Sequence, residues 1–253
     1  MKILCLHGAY GSAKAFRTQL DPFVSKLENT GNISFKFVDG QFPVDPPEGF
    51  GDYFGPPPYY RNIDFDGVDG LAKLVNNLRA ITDGESYEDT LRSLLQGDDS
   101  SVPGEETIGR TFARIKQYLD EDAEIDGILG YSEGATAAAS FIFHEAQQEE
   151  EHGTPRRIKF GIFFAGWPPT KVENGKVKAV LADECEDMID VPTCHIVGSL
   201  DPYLYGAMSL YGVCNGDNAT LFDHGKGHTV PRDNTTIDEL VASILKTIAA
   251  ANL

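Results

Sequence analysis

The chain has 253 residues, 41% of them hydrophobic, which suffices for a sizeable core in one large or two small domains and excludes disorder as its main state. Its 39 acidic and 21 basic residues leave a formal net charge of -18, a field that repels nucleic-acid backbones and anionic membrane surfaces. No apolar run approaches the roughly 20 residues of a bilayer-spanning helix, and Met1 leads directly into Ile3-Leu4-Cys5-Leu6, so a cytoplasmic protein binding neither nucleic acid nor membrane is expected.

In chain order, Lys2-Ile3-Leu4-Cys5-Leu6-His7-Gly8 is a short apolar run ended by glycine, the pattern of a strand buried on both faces of a parallel sheet. Phe16, Leu20, Phe23, Val24 and Leu27 then recur at helical intervals, and Ser34-Phe35-Lys36-Phe37-Val38-Asp39 reads as a second strand, which makes residues 1–39 one βαβ unit. From Gln41 to about Pro103 the periodic pattern gives way to Pro, Gly, Asp and aromatics. Phe42, Phe50, Tyr53, Phe54, Tyr59, Tyr60 and Phe65 predict a packed, lid-like insertion of about residues 41–103 within a single domain of residues 1–253. Helices are expected over 106–119, 133–147 and 235–250, and strands at Ile125–Leu129, Phe160–Phe164 and Thr193–Val197. Gln147 to His152 reads as a solvated helix end and loop. Strand and helix alternate to the end, which predicts an α/β fold with a mostly parallel central sheet flanked by helices.

Chemistry concentrates in four places. Gly130-Tyr131-Ser132-Glu133-Gly134 follows a strand and opens an Ala-rich helix, the setting a nucleophile elbow requires. A side chain at Gly130 or Gly134 would clash with the neighbouring strand and helix, Ser132 would sit exposed at a helix N-terminus, and the Glu133 N–H would face a developing oxyanion. A serine hydroxyl needs a base and an orienting carboxylate. Asp201 follows the strand Thr193–Val197 at the sheet edge where such groups collect. His224-Gly225-Lys226-Gly227-His228-Thr229-Val230-Pro231 offers two histidines, either of which is a possible base. His228 is chosen because Gly227 permits a close approach to the elbow and Thr229-Val230-Pro231 opens the last helix; His224, His195, His144 and His152 are read as structural. His7-Gly8-Ala9-Tyr10-Gly11 supplies the second oxyanion donor, Ala9 N–H first and Tyr10 N–H in reserve. Cys5, Cys185, Cys194 and Cys214 contain no CxxC pair and read as reduced thiols, and no residues support a metal site.

Together Ile3-Leu4-Cys5-Leu6-His7-Gly8, Gly130-Tyr131-Ser132-Glu133-Gly134, Phe163-Phe164-Ala165-Gly166, Val197-Gly198-Ser199-Leu200-Asp201 and Gly227-His228-Thr229-Val230-Pro231 resemble the "family of serine hydrolases" proteins, the ovarian-cancer-associated group, within the α/β-hydrolase fold. The resemblance spans nearly the whole chain and implies a Ser132–Asp201–His228 triad without a cofactor. Gly166-Trp167-Pro168-Pro169 and Gly55-Pro56-Pro57-Pro58-Tyr59-Tyr60 are closer to a branch that looks like the thioesterases of fungal polyketide pathways, which release an acyl chain from the acyl carrier domain of the synthase. That implies an acyl thioester substrate in secondary metabolism, with Tyr59, Tyr60 and Trp167 lining an apolar trench. Docking an acidic carrier on a chain of charge -18 calls for a local basic spot, and Arg156-Arg157-Ile158-Lys159 is the dense cluster in the sequence. A carboxylesterase acting on small free esters and a non-catalytic binding protein that keeps the fold are the alternatives.

Overall fold

The computed structural model describes residues 1–46, 54–64, 86–95, 104–173, 175–185 and 188–251. Phe50, Tyr53 and Phe65 of the expected cover, and Asn252 and Leu253, lie outside these residues. Five segments form the body of the sheet: β1 Lys2–Leu6, β2 Ser34–Val38, β5 Ile125–Tyr131, β6 Phe160–Phe164 and β9 Thr193–Val197. A sixth, β10 Ala219–Asp223, completes it in the order β10-β9-β6-β5-β1-β2, with every neighbouring pair parallel. Successive side chains of a strand point to opposite faces, so each strand feeds two cores. Ile3, Cys5, Ile162, Phe164, Cys194 and Ile196 pack under helices α1 Ala13–Glu28 and α6 Asn234–Ala250. Leu4, Leu6 and Phe163 pack under α3 Glu105–Glu121 and α4 Glu133–His152. Burial on both faces is why these strands read as unbroken apolar runs.

A parallel sheet delivers every strand end to one edge. The register aligns Leu6 with Gly130, Gly130 with Phe163, and Val197 with Asp223, so the segments beginning at His7, Ser132, Gly198 and His224 emerge side by side. Between β2 and α3, β3 Phe42–Pro43 pairs antiparallel with β4 Tyr60–Arg61, and α2 Tyr87–Leu95 packs on α5 Leu204–Gly212. A second small hairpin joins β7 Thr170–Glu173 to β8 Lys176–Ala179.

Two expectations change. Helix α4 does not stop at 147: it continues through His152 and ends at Gly153, whose φ of 67° is the left-handed cap that glycine adopts without strain. The polar run Gln147–His152 is thus the solvated last turns of the helix. Nor does Pro231 open the last helix. Asp233 is its cap, accepting the Thr236 N–H at 3.0 Å, and the helix starts at Asn234.

Candidate active site

Between β5 and α4 a single residue turns the chain. Ser132 has φ 52° and ψ -119°, a strained backbone for a residue with a side chain, and its N–H is anchored to the Phe164 carbonyl at 2.8 Å. The turn is possible only because its flanks are bare. A Cβ on Gly130 would enter the Gly134 carbonyl and the Ala135 backbone, and one on Gly134 would enter the carbonyl oxygens of Leu6 and His7.

The loops after β9 and β10 meet in front of this turn. Leu200 N–H donates to the Lys226 carbonyl at 3.1 Å, and a Cβ on Gly198 would strike that same carbonyl. The glycine that permits the approach is therefore Gly198; at Gly227, credited in the sequence reading, an added Cβ would sit an ordinary 3.7 Å from the Leu200 carbonyl. Asp223, at the end of β10, accepts the Ser199 N–H at 2.9 Å and the Gly225 N–H at 2.8 Å, tying the two loops together. Burial opposes ionisation of Asp223, but those N–H bonds outweigh it and hold its carboxyl below the ordinary value.

As a result Ser132, His228 and Asp201 form a hydrogen-bonded row. His228 Nδ1 lies 2.8 Å from Asp201 Oδ2, and Nε2 lies 3.1 Å from Ser132 Oγ. A carboxylate only accepts, so Nδ1 carries the proton and Nε2 is left to accept from the serine hydroxyl. Asp201 is buried, and its other oxygen accepts the Tyr203 N–H at 2.8 Å, which fixes the carboxylate plane. The imidazole lies between the rings of Tyr131 and Tyr203, with centroids at 5.2 and 4.8 Å. His224, the other histidine of the loop, uses its Nδ1 to accept the Lys226 N–H at 3.3 Å.

The loop after β1 faces the same serine. Among the described residues the N–H groups of Ala9, Tyr10 and Glu133 have no protein acceptor. Tyr10 takes φ 59° with its ring buried, 4.8 Å from the Phe54 ring. His7 holds the loop from beneath: its Nδ1–H donates to the Gly8 carbonyl at 2.7 Å and its Nε2 accepts the Gly40 N–H at 2.9 Å. Both bonds are those of a neutral imidazole, and burial lowers its pKa accordingly.

Sequence reasoning missed what lies behind these donors. The Glu133 side chain is buried, with Oε2 accepting Arg61 Nε–H at 2.8 Å and Oε1 accepting the Asn62 N–H at 2.7 Å. Asn62 Nδ2 then donates to the His7 carbonyl at 2.7 Å. A buried ion pair thus ties the residue after the nucleophile, through Arg61 and Asn62, to the loop after β1. No local pattern announces a contact between residues 61 and 133; Asp223 would have been found had Ala219–Asp223 been read as an edge strand.

The remaining expected residues have other neighbours. Tyr59 Oη donates to the Gly55 carbonyl at 2.6 Å, and the Tyr60 N–H donates to the Gly11 carbonyl at 2.9 Å. Trp167 packs with Leu91, Leu94 and Leu181 and over Gly206, where a Cβ would enter its indole, while its ring lies 6.3 Å from that of Tyr203. Arg156 pairs with Glu149 and Asp190, Arg157 with Asp120 and Lys159 with Asp126. These residues precede β6, so the cluster is neutralised and lies at the amino edge of the sheet, opposite Ser132. Cys5, Cys194 and Cys214 are buried free thiols. Among the described residues there is no group of side chains suited to a metal ion, and no helix is long and apolar enough to cross a membrane.

A parallel sheet flanked by helices, with a strained serine at a strand-to-helix turn and a His–Asp pair delivered by later strand ends, defines the α/β-hydrolase class. Solved structures agree on the fold: carboxylesterase from Bacillus cereus matches with TM-score 0.54 at 16% identity, covering 97% of this chain and 87% of that one. Zea mays acyl-protein thioesterase 2 matches with TM-score 0.55 at 17% identity, covering 98% and 93%. The family model described as Serine hydrolase (FSH1) matches residues 1–240, and the chain belongs to that family. Among its relatives, esterase FPY3 of Fusarium mangiferae is 27% identical over 256 residues, covering 99% of this chain and 98% of the relative. Hydrolase phiM of a fungal species (strain ATCC 74256) is 25% identical over 241 residues, covering 95% and 91%.

Proposed function

We propose that this serine hydrolase cleaves an acyl thioester, releasing a polyketide or fatty acyl chain from an acyl carrier protein in secondary metabolism. The observation that carries the reading is the row Ser132 Oγ, His228, Asp201 with its 3.1 and 2.8 Å bonds. Ser132 Oγ attacks the acyl carbonyl as its proton passes to His228 Nε2, and Asp201 holds the tautomer and stabilises the imidazolium. The tetrahedral oxyanion is received by the Glu133 N–H and by that of Ala9 or Tyr10, donors each worth on the order of 10²–10³ in turnover. The carbon–sulfur bond then breaks, the thiolate taking the His228 proton. Water, deprotonated by His228, attacks the acyl-serine, and collapse of the second intermediate returns the proton to Ser132 with release of the carboxylic acid.

A thioester suits the site because a thiolate departs readily. The acyl-protein thioesterase among the fold neighbours fits that chemistry, whereas the relative named an esterase favours a second reading, a carboxylesterase on small free esters. The packing of Trp167 into the α2–α5 contact also favours this second reading, since it withdraws an aromatic side chain from the proposed trench. Mass spectrometry of wild type and Ser132→Ala with an acyl-pantetheine thioester tests both. Acylation or release that Ser132→Ala abolishes is expected. Silence toward the thioester with hydrolysis of a short oxygen ester shifts the assignment to the carboxylesterase, and silence toward both reopens the reading of a non-catalytic binding protein that keeps the fold.

A further inference from the structure

Two arginines of α3, away from the Arg156–Lys159 cluster, stand out on this acidic chain. Among the described arginines, Arg17, Arg61, Arg92, Arg156 and Arg157 each have a carboxylate partner. Arg110, Arg114 and Arg232 have none among the described residues. With 39 acidic residues against 21 basic ones a carboxylate is the default neighbour of a cation, yet Arg110 and Arg114, one helical turn apart, lack one together.

Each of the two guanidiniums is seated on a ring. Arg110 lies 4.7 Å from the Phe42 centroid and Arg114 4.5 Å from that of Tyr118. Stacking occupies the face of a guanidinium and leaves its in-plane N–H donors for an anion. Arg114 Nη1 gives one to Gln117 Oε1 at 2.8 Å, and Arg110 gives none to a protein acceptor among the described residues. Both line a cleft of about 580 Å³ together with Gly40, Gln41 and Tyr60. One carboxylate, Asp39, also lines it, with Oδ1 accepting the Ala13 N–H at 2.7 Å, and Glu121 on the same helix accepts Gln117 Nε2–H at 2.8 Å.

The cleft lies at the working edge of the sheet. Asp39 and Gly40 directly follow β2, two strands from β5 in the order β5-β1-β2, which places the cleft floor about 10 Å from the elbow at roughly 4.8 Å per strand. Gly40 also bonds His7, and Tyr60 bonds Gly11, so the cleft shares its wall with the loop that presents Ala9 and Tyr10.

We propose that this cleft binds the phosphate of a 4′-phosphopantetheine arm whose acyl end reaches Ser132. Two arginines one helical turn apart on one cleft wall offer charged N–H donors to the oxygens of a phosphate, and a pantetheine chain is long enough to reach from cleft to serine. The assignment rests on the thioesterase reading and gives it an anchor on an otherwise repulsive surface.

The test pairs an acyl-pantetheine thioester with the same acyl group on 4′-phosphopantetheine, using wild type and Arg110→Ala/Arg114→Ala; both sites are exposed on a helix, where alanine folds well. Wild type is expected to show a KM about tenfold lower for the phosphorylated substrate, and the double variant to lose that preference with kcat on acyl-pantetheine unchanged. A preference that survives in the variant, or is absent from wild type, overturns the cleft. Titration calorimetry with 4′-phosphopantetheine separates the two readings, because binding that the variant loses upholds the cleft even if no thioester is turned over. An acyl carrier domain and acyl-CoA then identify the source: a KM raised only for the carrier assigns the phosphodiester of a carrier, one raised only for acyl-CoA a free coenzyme, and no change for either overturns the proposal.

Discussion

At the scale of the residue, Glu133 serves twice. Its N–H, beside Ser132, is free of protein acceptors among the described residues, while its side chain, 5% exposed, holds Arg61 and the backbone of Asn62. Breaking such a buried pair costs about 3–5 kcal/mol because the remaining charge is left unpaired. Glu133→Gln keeps the N–H and the side-chain volume but removes the buried negative charge that faces the Arg61 guanidinium, and Asn62 then loses its fixed hold on the His7 carbonyl. The expected result is a fall of about 10–100-fold in kcat/KM per active site titrated with fluorophosphonate. Affinity for a trifluoromethyl ketone, which mimics the tetrahedral adduct, should fall in parallel. A lower melting temperature with ketone affinity intact would confine the pair to stability and leave the oxyanion loop independent of it.

At the scale of the element, the central strands were legible because burial on both faces leaves a continuous apolar run, as in Phe160–Phe164, where all five residues are buried. Strand β10 was not, because none of its five residues is buried and Leu221 is exposed, so the run lacks that signature. The two-residue strands β3 and β4 and the helix α5 follow from tertiary contact more than from local pattern. Ser132 and Asp201 were legible because each follows a recognised strand end, and His228 was picked from its glycine-rich loop without the strand that delivers it, while the steric reason for their meeting was misplaced by a loop. That difference is measurable with two alanines. Gly198→Ala drives a Cβ into the Lys226 carbonyl and must part the loops that hold Asp201 and His228, so kcat is expected to fall by at least about tenfold. Gly227→Ala meets only an ordinary contact and should retain activity near wild type. Equal losses in both would mean that backbone freedom in the His228 loop, and not the close approach at Gly198, governs the alignment.

At the scale of the whole molecule, two effects of acid oppose each other. Protonating carboxylates relieves the self-repulsion of a chain with net charge -18, which favours the compact state as pH falls. Against this stands His195, fully enclosed in β9 between the rings of Phe163 and Tyr211, with Nε2 3.0 Å from Thr193 Oγ1 and Nδ1 without a partner among the described residues. Burial drives its pKa down to about 3, against roughly 6.5 in the unfolded chain. The unfolded state therefore binds the extra proton first, and stability is lost as pH falls from about 6.5 toward 3. At pH 5 the loss is about 2 kcal/mol from this residue, at 1.36 kcal/mol per unit over the roughly 1.5 units below 6.5. His7, His144 and His224, also lowered by burial, act in the same direction. Carboxylates held low by their partners, such as Asp122 with Lys2 and Asp183 with Arg92, contribute stability that is lost only below about pH 4. Denaturant titrations at pH 7 and pH 5 separate the two effects, because His195→Phe fills the aromatic site without a titrating group and leaves the carboxylate relief unchanged. Wild type is expected to lose about 2 kcal/mol more than His195→Phe over that interval. Equal pH dependence in the two proteins would mean that water or structural relaxation reaches the imidazole in the folded state, and that the acid sensitivity of the fold resides elsewhere.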